Sequence, residues 1–143
     1  MQAQARLSSV SDILTFRERY RDEMNCQIVH DSIHRRAGWT LTCRLELDVV
    51  FVGFGSVAIG GPRKDRPTLF EFYVLAEHRS FSFDLLEALL SVSGTRSMEI
   101  QSNEPLLAVI LLTYVCDIAS EKIVFHDTVS TVLSARPRLT PPR

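Results

Sequence analysis

Residues 68–90, TLFEFYVLAEHRSFSFDLLEALL, decide the fold: an apolar strand, a short turn rich in charge and serine, and an amphipathic helix follow one another. A strand that runs into a helix N-terminus is a common place for an anionic ligand in α/β proteins. The unpaired backbone N–H groups and the helix dipole both point at the ligand there. The first question is therefore whether this turn can hold a phosphate.

A hairpin is predicted before this stretch. From Trp39 to Leu47 apolar and polar residues alternate, which is typical of a half-exposed antiparallel strand with one buried face. Residues 50–59 are almost continuously apolar, and they include Gly53 and Gly55, which predicts a strand covered on both faces. The connection carries Asp48-Val49, where Asp-Gly would adopt positive φ easily. We therefore expect a different turn type or a longer loop.

A helical pattern begins at Ser11, a suitable N-cap, and reaches Gly38 with a break near Asn25. The apolar residues at helical spacing are Ile13, Phe16, Tyr20, Met24 and Ile28. They predict one core-facing side, on one long helix or two shorter ones.

His30 and His34 lie four residues apart, the spacing that two metal ligands on a helix would need. The sequence contains no H-E-x-x-H motif and no obvious third ligand beside them. We therefore interpret both as surface or groove histidines and predict no metal site.

The rest of the chain alternates helices and short strands. The polar residues 60–67 form a breaker segment, and a helix over about 80–91 ends at Gly94. A short strand over 98–101 leads to a helix with Pro105 in its first turn, and a last strand is predicted over 122–125. The helix LLAVILLTYV is apolar nearly all round, so it is either deeply buried or covers a partner surface. The predicted apolar face of the earlier helix consists of Phe83, Leu86, Leu89 and Leu90.

Composition excludes several classes of protein. With 143 residues, 45% hydrophobic and 23% charged, the chain fits one domain over residues 1–133, followed by a disordered tail over 134–143. A net charge of -1 argues against binding to nucleic acid or to an anionic membrane. The three cysteines form no C-x-x-C pair, and no run approaches the roughly 20 apolar residues of a membrane span. A cytoplasmic location is the expectation.

The turn after the strand resembles the acetyl-coenzyme-A loop of the GNAT acyltransferase superfamily, in which R/Q-x-x-G-x-G/A follows a strand ending in V-x-P. Here V-L-A stands at 74–76 and R-S-F-S-F-D at 79–84, so Arg79 matches, while Ser82 and Asp84 replace the small residues. The hairpin WTLTCRLELD…VGFGSVAI and the stretch MEIQSN at 98–103 are similar to the strands of that family. The resemblance covers residues 10–128.

This resemblance implies an α+β, GNAT-like fold with a central, mostly antiparallel sheet and flanking helices. The chain looks most like the amino-terminal half of a two-domain GNAT protein. The implied catalytic base is Glu71, with a solvent-facing strand glutamate as the alternative. The implied cofactor-binding residues are Val74, Leu75, Arg79, Ser80 and Ser82, and the implied cofactor is acetyl-CoA.

The replaced loop residues predict weak cofactor binding. Glycines let backbone amides close on a pyrophosphate, and Ser82 hinders this only mildly. Asp84 hinders it more, because its carboxylate occupies the electropositive position at the helix start. Arg79 either meets a phosphate or forms a salt bridge with Glu77 or Asp84. Tyr114 lies one turn beyond the tyrosine position of the family, so we interpret it as a packing residue with a hydrogen-bonded hydroxyl.

Two functions remain open at this point. One is an acyl-CoA-dependent N-acetyltransferase-like protein with a degenerate cofactor loop and weak or no activity, acting on a small-molecule or peptide amine. The other is a non-catalytic GNAT-like binding or dimerisation module. The expected partner is a second copy of the chain or a second GNAT domain.

Overall fold

The computed structural model describes residues 1–24, 31–101, 104–115 and 117–118. Its centre is a five-stranded sheet in the order β1-β2-β3-β4-β5. The first four strands are antiparallel neighbours, and β5 is parallel to β4. The strands are β1 Ala3–Ser8, β2 Thr40–Leu47, β3 Val50–Ala58, β4 Thr68–Val74 and β5 Ser97–Met98.

Helices lie on both faces of the sheet. One face packs against α3 (Ser82–Ser93) and α4 (Pro105–Tyr114), and the other packs against α1 (Leu14–Met24). A short helix α2 (Asp31–His34) precedes β2, and 3-10 turns occupy Val10–Ile13, Gly61–Arg63 and Ala76–Phe81. This architecture is the α+β fold that the sequence predicts.

Two hydrophobic clusters hold these layers together. The larger one joins the sheet to α3 and α4, with Leu45, Phe72, Leu86 and Leu89 among its fully or almost fully buried members. The smaller one, between the sheet and α1, consists of Ile13, Tyr20, Phe54 and Tyr73, with Phe16 and Met24 packed against it. The predicted core side of the first helix is therefore confirmed at Ile13 and Tyr20, whereas Ile28 lies outside the described residues.

The first strand, β1, is absent from the sequence prediction. Its residues AQARLS do alternate apolar and polar side chains, but two of the three apolar ones are alanines, and it is an edge strand that pairs with β2 from Ala3 opposite Leu47 to Ser8 opposite Thr42. The helical segment that follows is capped by Ser9 and not by Ser11. Ser9 N donates to Asp12 Oδ2 at 3.2 Å, and its hydroxyl donates to the same oxygen at 2.8 Å.

The β2–β3 connection differs from the prediction. It is a tight two-residue turn in which Asp48 and Val49 both have positive φ, 47° and 69°. Such a turn matches the twist of the hairpin, and backbone strain at Val49 is its consequence. Asp48 is held in place because it exchanges hydrogen bonds with Gln2: Asp48 N donates to Gln2 O at 3.0 Å, and Gln2 N donates to Asp48 Oδ1 at 2.7 Å.

Strand β2 is more buried than its alternation predicts. Cys43 and Leu45 face the core as expected, but Thr42 and Glu46 on the other face are each only 4% exposed. The Glu46 carboxylate is paired with Arg6 at 3.0 Å and with Arg44 at 2.7 Å. The prediction of a half-exposed strand is therefore wrong, and at Glu46 two long arginine side chains cover the polar face.

The later elements agree with the sequence apart from their bounds and one helix face. Gly94 ends α3 in a left-handed conformation with φ 66°, as predicted. The buried face of α3 contains Leu85 in place of the predicted Phe83, which is 39% exposed and stacks on Tyr114. The predicted strand over 122–125 and the tail over 134–143 lie outside the described residues.

Gly53 and Gly55 are both sites of close approach, as expected for a covered strand. A shift of register between Leu45 and Glu46 leaves Val52 as an extra residue beside Gly53. A Cβ at Gly53 would overlap the carbonyl oxygen of Tyr73 on β4, whereas a Cβ at Gly55 would overlap the tip of the Leu89 side chain. Backbone cannot move aside as a side-chain tip can.

We therefore predict that Gly53→Ala lowers the free energy of unfolding by on the order of 3 kcal/mol, and Gly55→Ala by on the order of 1 kcal/mol. Urea denaturation of the two variants and the unmodified protein measures both values. Equal losses, or no loss at Gly53, would contradict the close backbone approach.

Candidate functional site

The sheet opens between β4 and β5. The two strands pair only at Thr68 with Ser97 and at Leu69 with Met98, and the last backbone bond is Glu99 N to Leu69 O at 2.8 Å. Within the described residues, the rest of β4 has no strand partner on this side. The second half of β4 therefore presents an open edge.

A cavity of about 190 Å³ lies at this open edge. Its walls are the C-terminal turn of α1, the end of β4, the loop that follows β4 and the first turn of α4. Met24, Phe72 and the first residues of α4 supply apolar surface. The polar residues that line the cavity are Tyr20, Glu23, Tyr73, Arg79 and Glu104.

Glu71, the base implied by the resemblance, is buried beside this cavity on β4. Its carboxylate is 0% exposed, with Oε2 2.9 Å from His34 Nε2 and Oε1 3.3 Å from an Arg17 guanidinium nitrogen. The alternative of a solvent-facing glutamate is therefore wrong. The interpretation of His34 as a surface or groove histidine is also wrong. Its side chain is 4% exposed and packs on the ring of Phe70.

The neighbours of Glu71 keep it ionised. Burial raises the pKa of Glu71, but the hydrogen bond and charge of His34, together with Arg17, bring it below the ordinary value of 4.5. Arg17 also contacts Asp31 at 2.6 Å, and Arg21 contacts the same Asp31 oxygen at 2.8 Å. This network ties α1 and α2 to β4, and a carboxylate so well satisfied is a weak proton acceptor.

Glu104 is the second buried carboxyl group at the cavity, and sequence reasoning missed it. It is 2% exposed and lies directly before α4, where its backbone N–H donates to Gln101 O at 3.0 Å. Among the described residues, neither of its carboxylate oxygens makes a hydrogen bond of ordinary geometry. The one available signal was a glutamate immediately before the helix-starting Pro105, at the end of a predicted strand.

The surroundings of Glu104 favour its neutral form. Burial raises its pKa to about 7, and the charge of Glu71 acts in the same direction. The nearby Tyr20 hydroxyl and the Gln101 backbone favour the charged form and offset only part of this effect. The carboxyl group of Glu104, a residue that lines the cavity, thus has a pKa of about 7, whereas the pKa of Glu71 is lowered and that group stays charged.

The loop after β4 is closed on itself. Residues Ala76–Phe81 form a 3-10 turn that continues directly into α3, and Ser82 N donates to Arg79 O. Arg79 Nε donates to Val74 O at 3.1 Å, and the guanidinium also pairs with Glu23 of α1. The predicted salt bridge of Arg79 with Glu77 or Asp84 is therefore wrong.

The other implied cofactor-binding residues occupy different environments. Leu75 N donates to Val52 O at 2.9 Å, so this amide is engaged in the sheet. Val74 lies opposite Gly53, and the alternation of an antiparallel ladder directs its N–H to the open edge. Ser80 is exposed, and Ser82 is 2% exposed with its hydroxyl turned inward.

This geometry does not fit the pyrophosphate of a coenzyme in the way that the resemblance implies. The backbone N–H of Ser82 already donates to Arg79 O, and the guanidinium of Arg79 is already bonded to Glu23 and to Val74 O. Residues 79–84 contain no glycine that would let a phosphate approach the backbone closely. Among the implied cofactor-binding residues, Val74 has a backbone N–H that points to the open edge and can donate to a ligand.

Tyr114 has the predicted structural role. Its hydroxyl donates to Glu87 Oε1 at 3.1 Å, and its ring stacks on Phe83 with centroids 5.6 Å apart. Both contacts join α4 to α3 on the surface. The interpretation as a packing residue with a hydrogen-bonded hydroxyl is confirmed.

Several proteins of known structure, acetyltransferases among them, share this arrangement. A ribosomal-protein-alanine N-acetyltransferase from Brucella melitensis biovar Abortus 2308 matches with a TM-score of 0.59 and 11% identity, over 88% of this chain and 100% of that one. A predicted acetyltransferase with acetyl-CoA from Clostridium acetobutylicum matches with a TM-score of 0.56 and 12% identity, over 87% and 96%. An integron cassette protein from the mobile metagenome of V. cholerae matches with a TM-score of 0.56 and 12% identity, over 95% and 99%.

These likenesses establish the fold: the chain has the fold of the GNAT acetyltransferases. No protein-family model and no curated protein sequence matches it. The described part of the chain contains no group of three or more residues able to hold a metal ion. None of its helices has the length and apolar character needed to cross a bilayer.

The raised pKa of Glu104 predicts a specific pH dependence of stability. A carboxyl group with a higher pKa in the folded state stabilises the fold fully below its unfolded pKa of 4.5, and this contribution is lost as pH rises through about 7. The free energy of unfolding of the unmodified protein, relative to Glu104→Gln, should fall by on the order of 3 kcal/mol over that range. Denaturation at several pH values measures this difference, and a flat difference would contradict the burial of the carboxyl group.

Proposed function

We propose that the protein is acetyltransferase-like in its fold and cleft, that it binds acyl-coenzyme A weakly, and that its turnover is slow or absent. The observation that carries this proposal is the closed loop between β4 and α3. Ser82 N is bonded to Arg79 O, and the Arg79 guanidinium is paired with Glu23. In this fold the corresponding loop is the one that would hold a pyrophosphate.

The state of the carboxylates supports the same conclusion. The implied base, Glu71, already accepts from His34 and Arg17, and its pKa is lowered. A general base works best when its pKa is close to the operating pH. Glu71 is therefore better suited to hold α1 and α2 in place than to accept a proton from an amine, whether of a small molecule or of a peptide.

The cleft itself is retained. The open edge of β4 still borders a cavity, and aromatic and acidic side chains line it. A buried carboxyl group such as Glu104 lowers the stability of the fold relative to an apolar residue of similar size, so a purely structural domain would be more stable without it. Retention of the cavity favours continued binding of a small ligand, and we place this binding in the cytoplasm.

Calorimetric titration with acetyl-CoA tests the proposal. The unmodified protein should bind at least ten times more weakly than the double variant Ser82→Gly with Asp84→Gly. The variant lets the loop amides open and removes the Asp84 carboxylate from the first turn of α3. Repulsion between that carboxylate and a pyrophosphate oxygen a few ångströms away costs on the order of 1–3 kcal/mol of binding free energy. The double variant should also be less stable, because glycine weakens the start of the helix.

Glu77→Gly is the matched control, because it removes an exposed carboxylate from the same loop but not from the two glycine positions. It should leave the affinity within about threefold, a difference below 1 kcal/mol. Tight binding of acetyl-CoA by the unmodified protein would refute the weak-cofactor proposal. An equal gain in Glu77→Gly would show that net charge, and not the loop geometry, sets the affinity.

The second candidate function is a dimerisation module, and the surface of α4 favours it. Buried residues of this helix are Leu107 and Ile110, whereas Val109 is 53% exposed and Leu112 is 75% exposed. Exposed apolar side chains grouped on one helix are typical of an interaction surface. We propose that a second copy of the chain covers them.

Light scattering after size-exclusion chromatography tests this assembly. The unmodified protein should elute as a dimer, and Leu112→Glu should shift it to a monomer because a charge would be buried at the interface. Leu7→Glu is the control, since Leu7 is 63% exposed on β1 at the other edge of the sheet. A monomeric unmodified protein at high concentration would contradict the proposal.

A further inference from the structure

A second pocket lies at the beginning of β4, at the other end of that strand from the loop that precedes α3. Its volume is about 230 Å³, and its walls come from α2, the residue before β2, the end of β3, the connection from β3 to β4 and the residue after β5. Ala58, one of its lining residues, lies opposite Thr40 of β2 and opposite Thr68 of β4. This pocket is therefore separate from the cleft at the open edge of β4.

The interior of this pocket is apolar. Side chains of Ile33, Trp39 and Pro62 line it, and its two charged lining residues, Arg63 and Glu99, form a salt bridge with each other. An apolar cavity of about 150 Å³ is large enough to bind benzene. The pocket therefore has room for one branched or aromatic side chain.

The segments that build the pocket also carry a concentration of positive charge. They contain two acidic residues, Asp65 and Glu99, against six basic ones, which is a local excess of four positive charges in a chain whose net charge is -1. The basic residues are Arg35, Arg36, Arg63, Lys64, Arg66 and Arg96. All of them except Arg63 are exposed, and within the described part of the chain no acidic side chain pairs with these five.

Side-chain contacts hold the basic segments around the pocket. The guanidinium of Arg36 lies over the Trp39 ring, 4.3 Å from its centroid. Arg66 Nε donates to the hydroxyl of Ser97 at 2.6 Å, which joins the β3–β4 connection to β5 next to Arg96. We call the pocket and these six basic residues the basic pocket.

We propose that the basic pocket binds an acidic segment of a partner protein, which inserts one large apolar side chain into the pocket. Complementary charge brings such a segment to the surface and orients it, and the buried side chain supplies most of the affinity. The inference is independent of the proposed function, because neither the cleft nor the loop before α3 takes part.

The distribution of the charges favours a peptide over a small anion. Three separate segments of the chain carry the unpaired basic residues: 35–36, 64–66 and 96. One exposed ion pair contributes little to affinity, so a ligand with a single carboxylate would gain little from this surface. A chain with several carboxylates reaches more than one of the segments at the same time.

The surroundings of Trp39 argue against nucleic acid and against a membrane. A Cβ on Gly60 or Gly61 would overlap the indole, so the backbone of these glycines lies directly on the ring, and Arg36 covers it as well. A nucleic-acid base would need an open aromatic face on which to stack. The large exposed apolar side chains of the described residues lie elsewhere, so this surface lacks the protruding groups that enter a membrane.

Fluorescence titration tests the inference, because Trp39 is the single tryptophan of the chain and reports on the basic pocket directly. The probe is a short synthetic peptide of aspartates with one central leucine. It should shift the Trp39 emission in a saturable way, and a peptide with serine in place of the leucine should bind at least ten times more weakly. The affinity should fall at least threefold between about 0.01 M and about 0.15 M salt, because the screening length shrinks from about 30 Å to about 8 Å.

Lys64→Glu is the test variant, and Arg19→Glu is its matched control. Both residues are exposed and the change in net charge is the same, but Arg19 lies on α1 and not at the basic pocket. Lys64→Glu should weaken binding of the leucine peptide at least fivefold, whereas Arg19→Glu should stay within about twofold of the unmodified protein. Thermal transitions of both variants verify that they are folded.

Four results would overturn the inference: no binding of the leucine peptide, equal affinity for the serine peptide, equal affinity for a lysine peptide with the same central leucine, or equal losses in the two variants. Binding of oligothymidylate as tightly as the leucine peptide would also overturn it and would assign the surface to nucleic acid. The acetyl-CoA titration is a separate measurement, so the weak-cofactor proposal and the basic pocket stand or fall independently.

Discussion

The buried ion pair between Glu71 and Arg17 is the interaction on which the arrangement of the cleft depends. Glu71 is fully buried in the central part of the sheet, where an isolated carboxylate would be strongly destabilising. Arg17 from α1 and His34 from α2 compensate this charge from one side of the sheet. Removing one partner of such a pair leaves a buried charge uncompensated, with a loss on the order of 3–5 kcal/mol. Both helices are thereby fixed against β4, and the C-terminal turn of α1 becomes one wall of the cavity.

The same ion pair separates the roles of the two buried carboxyl groups. Glu71 has donors on both oxygens and a lowered pKa, whereas burial of Glu104 outweighs its contacts with the Tyr20 hydroxyl and the Gln101 backbone and raises its pKa to about 7. The negative charge of Glu71 contributes to that rise. Two acidic groups of one region thus differ in protonation because of their neighbours, and Glu104 is the one with a pKa near neutral pH.

Much of the fold could be predicted from the sequence, because strong local patterns encode it. The hairpin of β2 and β3, the strand–loop–helix stretch and the stop at Gly94 each follow from apolar periodicity or from a residue with a special conformation. Edge strand β1 was missed although its apolar and polar residues alternate, because the signal is weak: two of its three apolar residues are alanines, and the strand depends on pairing with β2. The tight turn at Asp48 and Val49 could not be predicted either. Contacts with Gln2 stabilise a positive-φ conformation that these residues rarely adopt alone.

The site was less predictable than the fold, for a physical reason. The residues that decide its chemistry come from distant parts of the chain: Glu104 meets Tyr20, and Arg79 meets Glu23. Local sequence around Arg79 suggested Glu77 or Asp84 as its partner, because both lie within one or two turns. Nothing in the spacing of residues 17, 34 and 71 indicates that they share one buried network.

The most direct test of this account is a titration of the glutamate carboxyl carbons by carbon-13 NMR, with Glu71→Gln and Glu104→Gln used to assign the two signals. The account predicts that Glu104 titrates at a pH of about 7 and that Glu71 titrates below 4.5. A Glu71 signal that titrates near neutral pH, with Glu104 ionised throughout, would contradict it. In that case Glu71 on β4 would be the residue suited to accept a proton.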